Sequence, residues 1–476
     1  MTLKVYNTKS HAIEQFIPAR GNRVYMFVCG PTVYDQSHIG HARTYLAYDI
    51  ITRYLRAKGY SVFYLMNITD IDDKIINKAN ELGLDPLILA ERFRTEFLQD
   101  MQSLGIDGVN LYAKASEHIP EIIAQISTLK EKQFAYQVDG DVFFDVSKFP
   151  NYGKLSRQDI DQLIMHRIDP DPRKKNIVDF ALWKSQKPGE PSWDSPWGKG
   201  RPGWHIEDTA ITTTYFGPSY DLHGGGLDLI FPHHEAEIAQ AEAATGTEPL
   251  VKYWIHSGLL NVSGTRMGKS MGNFITIKDA LLKHDAEALR LYFAASHYRS
   301  QLEYDENHVA QAEQVLERLR SVYNQFRSLL TTSKPGTSVE SAEARGVISQ
   351  AKIDFDRAMD EDFNTPRALA VMLGFAKNIE LHANDKLSRE EIVEILNLFS
   401  YFGSVFGILQ SKGTAVEIIL EKLLKMVFSI RDEAREKGNW ETSDMIRNSL
   451  RDLGVIVEDS AEGVRWHLKP VAEKSA

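Results

Sequence analysis

The sequence predicts an α/β chain: a parallel-sheet domain with an inserted subdomain, then an all-helical bundle and a small C-terminal domain. Three observations carry this. Strand-like, helical and strand-like segments follow one another between Val24 and Thr69, the pattern of a βαβ unit. Residues 115–200 interrupt the alternation with hairpin and loop signals. From Lys278 onward the apolar periodicity is almost wholly helical.

Taken in order, residues 24–29 read as a short buried strand. A helical pattern spans residues 38–58, with Leu46, Ile50, Ile51, Tyr54 and Leu55 on one broad apolar face. Gly59 stands where that helix stops. Residues 61–69 form the next strand, and residues 70–73 offer aspartates to cap a following helix. In the insertion, residues 134–138 and 142–146 flank the hairpin turn Asp139-Gly140-Asp141, and residues 185–202 form a Pro/Gly/Trp-rich loop. Sheet signals resume near Tyr220. Gly224-Gly225-Gly226 reads as a turn leading to Pro232 and a helix that ends near Thr245. Polar connectors at residues 331–341 and 410–414 divide the helical part, and residues 454–457 suggest a small hairpin. The expected division is 1–114 with 201–300, 115–200, 301–410 and 416–476.

Composition excludes several classes. The 476 residues are 43% hydrophobic and 25% charged, a globular balance with room for two to four domains. No run approaches the roughly 18 apolar residues of a membrane span. The first residues lack the pattern of a signal peptide, and the single cysteine, Cys29, excludes an internal disulfide. A cytoplasmic chain is expected. The net charge of −10 leaves no global basic field, so any nucleic acid must be held by local patches and shape.

Two short motifs stand out. His38-Ile39-Gly40-His41 opens the first long helix. Unpaired N–H groups and a partial positive charge at such an end suit phosphate, Gly40 permits close approach, and the two imidazoles can donate to it. The alternative is a pair of capping histidines. The second motif is Arg266-Met267-Gly268-Lys269-Ser270, with one lysine in a run of small residues that can close on a triphosphate; the alternative is a plain surface loop. His233 and Glu237, four apart, share one face of the expected helix at metal-ligand spacing; the alternative is an exposed polar helix start.

Together with the βαβ start and helical end, the two motifs resemble the HIGH and KMSKS signatures of class I aminoacyl-tRNA synthetases. The second departs from its pattern at Arg266 and Gly268. Within that class nearly the whole chain resembles the cysteinyl-tRNA synthetases, through residues 29–35, 67–74, 200–207, 223–226, 232–235 and 296–300. The resemblance implies a Rossmann-like catalytic domain, a connective insertion, a helical stem-contact bundle and an anticodon-binding tail. It implies ATP-dependent joining of L-cysteine to its tRNA through an adenylate, by a monomer. His38, His41 and Lys269 would be catalytic, and Gly40, Asp228, Lys269 and Ser270 would bind ATP with Mg²⁺. Gly30, Thr69 and Trp204 would line the amino-acid pocket. For Asp228 a turn cap, and for Trp204 a buried core position, are the plainer alternatives.

The family also holds zinc at the pocket floor, and by motif match its ligands here are Cys29, Asp208, His233 and Glu237. Asp208 stands where the family has cysteine. A carboxylate keeps the charge but makes a harder site, more open to other divalent ions. Two other readings stay open: a ligase joining cysteine to an amino-sugar, and a non-enzymatic tRNA- or nucleotide-binding paralogue.

Overall fold

The computed structural model describes residues 2–157, 171–262, 264–266, 273–332, 342–382, 387–409, 415–453, 455–460 and 463–468. It forms two compact units, Met1–Leu409 and Gln410–Ala476. Of the expected connectors, 331–341 begins with the last two residues of helix Glu306–Thr332 and lies outside the described residues from 333 on; 410–414 lies wholly outside them, as do Lys269 and Ser270.

The first unit is organised by a five-stranded parallel sheet. Its spatial order is Val251–Ser257, Tyr220–Gly226, Arg23–Val28, Ser61–Ile68, Leu111–Lys114. In chain order these are the fifth, fourth, first, second and third strands, a doubly wound arrangement. The order reverses between Arg23–Val28 and Tyr220–Gly226, and a crevice opens at the carboxyl ends of strands at such a reversal. Both expected strands of the βαβ unit are present, and the helix between them spans Ile39–Ala57 with His38 as its N-cap. All five residues of its predicted apolar face are buried. Gly59, at φ +89°, occupies the left-handed region just beyond that helix.

The glycine run near 225 is not a turn. Gly224, Gly225 and Gly226 end the strand Tyr220–Gly226, because other side chains occupy the space a Cβ would need. A Cβ on Gly224 would lie 2.5 Å from the Tyr48 ring, and one on Gly225 would lie 2.8 Å from His234. The Tyr48 hydroxyl in turn accepts from the Gly225 amide at 2.7 Å and reaches the Ile255 carbonyl at 2.7 Å, tying the first helix to two strands.

The insertion carries an antiparallel sheet of Ala135–Val138, Asp141–Phe144, Phe180–Ser185 and Gly200–Pro202. Asp139 and Gly140 both have positive φ, as a two-residue hairpin turn of this twist requires. The expected loop 185–202 ends in a strand that pairs with Phe180–Ser185. The helical part contains Glu306–Thr332, Ala342–Asp360, Thr365–Leu381 and Arg389–Phe406, and its apolar residues continue the core of the sheet domain without a break. One strand, Leu302–Tyr304, interrupts the helical run and pairs with Leu260–Val262.

The second unit has helices Ala415–Glu436 and Trp440–Asp452 and a hairpin of Val455–Ser460 with Gly463–Leu468. Leu424, Phe428, Leu450 and Val455 form its small core. No helix among the described residues is long and apolar enough to cross a membrane.

Arg290 fastens the first unit. Fully buried, it pairs with buried Asp49 of the first helix and donates to the carbonyls of Phe406 at 2.7 Å and Leu104 at 3.0 Å. Arg290→Met is expected to cost about 3 kcal/mol, the low end for breaking a buried pair, because Arg53 still holds Asp49. Arg92→Met, at an exposed pair with Glu96, should stay within about 0.5 kcal/mol. Urea unfolding followed by tryptophan fluorescence compares the two.

Candidate active site

A cleft of about 1350 Å³ lies at the strand reversal. His38, His41, Asp228, Cys29, Thr69 and Trp204 all line it, so the predicted nucleotide and amino-acid residues share one space. Gly40 and Gly30 border it as well. Lys269 and Ser270 fall outside the described residues.

The two histidines cap the first helix and each other. The amides of Gly40 and His41 donate to His38 Nδ1 at 3.1 and 3.3 Å, and the His38 amide donates to His41 Nδ1 at 3.3 Å. The Ile39 amide is taken by the Ile275 carbonyl. The expected bare amides are therefore absent from this first turn, and a phosphate here meets imidazoles instead. A backbone N–H can only donate, so both Nδ1 atoms carry lone pairs and the ring protons sit on Nε2. The rings stack at 3.8 Å, and burial together with His38 pushes the His41 pKa well below the ordinary histidine value. Capping and donation are thus two uses of the same rings.

Gly30 is required by close approach: a Cβ there would lie 1.7 Å from the Asn67 carbonyl oxygen. Its amide donates to Asn67 Oδ1 at 2.6 Å. Thr69 follows the strand Ser61–Ile68 and donates its hydroxyl to Glu207, which is itself buried. Trp204 is 36% exposed, so it is no core residue; it stacks on His233 at 4.4 Å. Asp228 lies in the short turn Leu227–Leu229 just beyond the strand Tyr220–Gly226.

At the floor of the same cleft lie the predicted metal donors, of which Cys29, Asp208 and His233 line it. Cys29 directly follows Arg23–Val28, Asp208 sits in the first turn of helix Ile206–Phe216, and Glu237 sits in the first turn of Glu235–Thr245. His233 is in the π-turn Ile230–His234 and not on the α-helix that its spacing to Glu237 suggested. Their donor atoms still converge within 4.8 Å of one another. His233 Nε2 is 2.8 Å from Asp208 and 2.9 Å from Glu237; Cys29 Sγ is 3.7 Å from Asp208 and 3.9 Å from Glu237. All four residues are buried, and Asp208 Oδ1 and Glu237 Oε2 have no hydrogen-bond partner.

Burial, reinforced by Glu237 and Asp208, pushes the Cys29 thiol well above its usual pKa. Burial raises Glu237 to about 8. Burial would lower His233, but the two carboxylates outweigh it and raise it to about 10. Cys29, Glu237 and His233 are thus each driven toward holding a proton, as crowding of buried acidic groups requires. The thiol, imidazole and two carboxylates fit a divalent ion of the zinc type.

Sequence reasoning missed His205, Glu207, His223 and His234. His205 Nδ1 lies 2.8 Å from His233 Nδ1, and His223 and His234 both face Cys29. His234 is three residues before Glu237, a spacing as compatible with a shared helix face as that of His233, so the neighbouring pair was a signal that could have found it.

The architecture is one shared with class I aminoacyl-tRNA synthetases. The fold matches Mycobacterium tuberculosis methionyl-tRNA synthetase in complex with methionyl-adenylate, with TM-score 0.57, 17% identity, and coverage of 81% of this chain and 89% of that one. It also matches the LeuRS of the Agrobacterium radiobacter LeuRS–tRNA–LeuAMS complex, with TM-score 0.61, 13% identity and coverage of 82% and 85%. The family described as tRNA synthetases class I (C) catalytic domain matches residues 15–314. A DALR domain matches 354–410, and a cysteinyl-tRNA ligase anticodon binding domain matches 425–466. The cysteine–tRNA ligases of Heliobacterium modesticaldum and Thermococcus onnurineus are each 44% identical, over 98% of this chain and 99% of theirs. The chain belongs to the cysteine–tRNA ligase family.

His38→Asn keeps a good N-cap and removes the Nε2–H donor. Its stability is expected to change by less than about 0.5 kcal/mol relative to the parent. The rate of ATP–pyrophosphate exchange should fall about 10²–10³-fold, the effect of losing one preorganised donor.

Proposed function

We propose that this chain activates L-cysteine with ATP and transfers it to its tRNA, releasing AMP and pyrophosphate. The observation that carries this is the single cleft in which two neutral imidazole donors face a thiol- and carboxylate-rich pocket floor. The cysteine carboxylate, already ionised at neutral pH, attacks the α-phosphorus of ATP-Mg²⁺, and pyrophosphate leaves. No general base is needed, so the protein's work is alignment and charge stabilisation. His38 and His41 donate from Nε2 to the phosphate oxygens, and neutral donors there keep their second nitrogen for the helix cap. Lys269 and Ser270 approach the triphosphate from the 266–270 segment. Gly40 and Asp228 hold the nucleotide, Asp228 at the ribose. Gly30, Thr69 and Trp204 shape the amino-acid pocket.

Cys29, Asp208, His233 and Glu237 hold a zinc ion at the pocket floor. When bound, the ion supplies a soft position for the substrate sulfur, which separates cysteine from serine more strongly than shape can. Residues 301–410 contact the tRNA stem and residues 416–476 the anticodon, the latter supported by the anticodon-binding match. That tail also sets the tRNA above an amino-sugar as acyl acceptor. We place the enzyme in the cytoplasm as a monomer.

Pyrophosphate exchange with each amino acid in turn, beside tRNA charging and metal quantification, tests the reading. Cysteine alone should support exchange, and removing the metal should let serine compete. Charging of an amino-sugar in place of tRNA would refute the proposal. Lys269→Ala should lower exchange about 10²–10³-fold and leave the unfolding midpoint unchanged; an unchanged exchange rate removes Lys269 from the mechanism.

A further inference from the structure

Arg43 stands two residues beyond His41 in the first helix and is buried. His38, Gly40, His41 and Thr44 line the cleft from this end of the helix, but Arg43 does not. Its guanidinium is engaged with backbone instead. Nε donates to the Gly258 carbonyl at 3.1 Å and Nη2 donates to the Ser300 carbonyl, while Nη1 has no hydrogen-bond partner. Burial lowers its pKa to about 10, so the side chain is still a cation at neutral pH and both bonds are charge-assisted.

The two carbonyls belong to stretches that meet backbone to backbone. The Gly258 amide donates to the Tyr298 carbonyl at 2.8 Å, and a Cβ on Gly258 would overlap the carbonyl oxygens of Ser300 and Arg299. The Leu302 amide extends the contact by donating to the Leu259 carbonyl at 3.0 Å. The second stretch is itself held by the helical part. Arg299 Nε and the Tyr298 hydroxyl donate to Asp362 at 2.7 and 2.8 Å. A rigid fork on two fixed carbonyls fixes the helix that carries it.

What this joint sets is a wall of the cleft. Gly258, Leu259 and Leu260 line the same space as His38 and His41. Thr44 adds a lesser tie, with Oγ1 3.1 Å from Ser257 Oγ. On the other flank of the helix start, the Ile39 amide donates to the Ile275 carbonyl at 3.1 Å and the Ile277 amide to the Ser37 carbonyl at 3.0 Å. The Phe274 ring lies 5.4 Å from His38, nearly perpendicular to it. The histidine turn is thus bracketed by residues 257–258 and 274–277.

We infer that Arg43 is a positioning residue for adenylate formation: its two carbonyl bonds fix the His38–His41 turn against the Gly258–Leu260 wall, and so fix the reach of the imidazole donors toward the triphosphate. This role rests on the proposed activation of cysteine and adds to it a residue that touches no substrate. A displaced donor still lets ATP bind but stabilises the developing charge less, so the rate falls and the KM for ATP does not rise. Lysine keeps the charge but offers one point donor in place of the fork.

In cysteine-dependent ATP–pyrophosphate exchange, corrected for the folded fraction, Arg43→Lys should lower kcat about 10²-fold and leave the KM for ATP within about threefold. Thr44→Val, which removes only the lesser tie, should lower kcat about fivefold with the same unchanged KM. A plain structural role lowers the unfolding midpoint and leaves the kcat of the folded molecules unchanged; that result overturns the inference, as does a raised KM for ATP at unchanged kcat. If Arg43→Lys does not fold, Thr44→Val decides, and an unchanged kcat there overturns the positioning role. A native chain without cysteine-dependent exchange overturns the proposed function and this role together, whereas a native-like Arg43→Lys overturns this role alone.

Discussion

At the floor of the cleft, a thiol and two carboxylates are buried beside several imidazoles, and two of the carboxylate oxygens have no hydrogen-bond partner. Buried charge is tolerated only when it is paired, protonated or bound to a metal. This constraint accounts for much of the surrounding architecture. It brings the end of the first strand, the start of helix Ile206–Phe216 and the turn before Glu235–Thr245 to one point. It also accounts for the glycines at the end of the neighbouring strand, which make room for Tyr48 and His234. Trp204 closes the cluster on the cleft side by stacking on His233.

The first helix serves the same cleft from the other side. Its two leading histidines satisfy the helix end through Nδ1, which leaves each ring with one outward proton and no charge. Its middle is tied to the strands through Tyr48 and to the helical part through Asp49 and Arg290. The nucleotide end of the cleft is thus set by a rigid element anchored at three levels. Such preorganisation is what charge stabilisation during adenylate formation requires.

Much of this was legible without coordinates. The βαβ unit, its apolar helix face and the Asp139–Gly140 hairpin follow from local periodicity and turn chemistry, which act over a few residues. The His38–His41 pair was readable as a spaced motif, the remaining candidate site residues only through the family resemblance, and the His233–Glu237 spacing suggested a shared α-helix that His233 does not join. Gly224–Gly226 misled because a glycine run signals a turn unless a distant ring fills the space. The helix-end amides misled because the capping partner was the histidine itself.

The sequence by itself determined the local elements, the helix cap and the separated groups of residues that mark this family, because each depends on neighbours close in the chain. Tertiary structure alone decided the strand order that opens the cleft, and the convergence of Cys29, Asp208, His223, His233, His234 and Glu237. Those contacts join residues nearly 200 positions apart (Cys29 and His223 differ by 194). No periodicity reaches across such a distance; only the packing of strands and helices around a common core sets which buried donors meet.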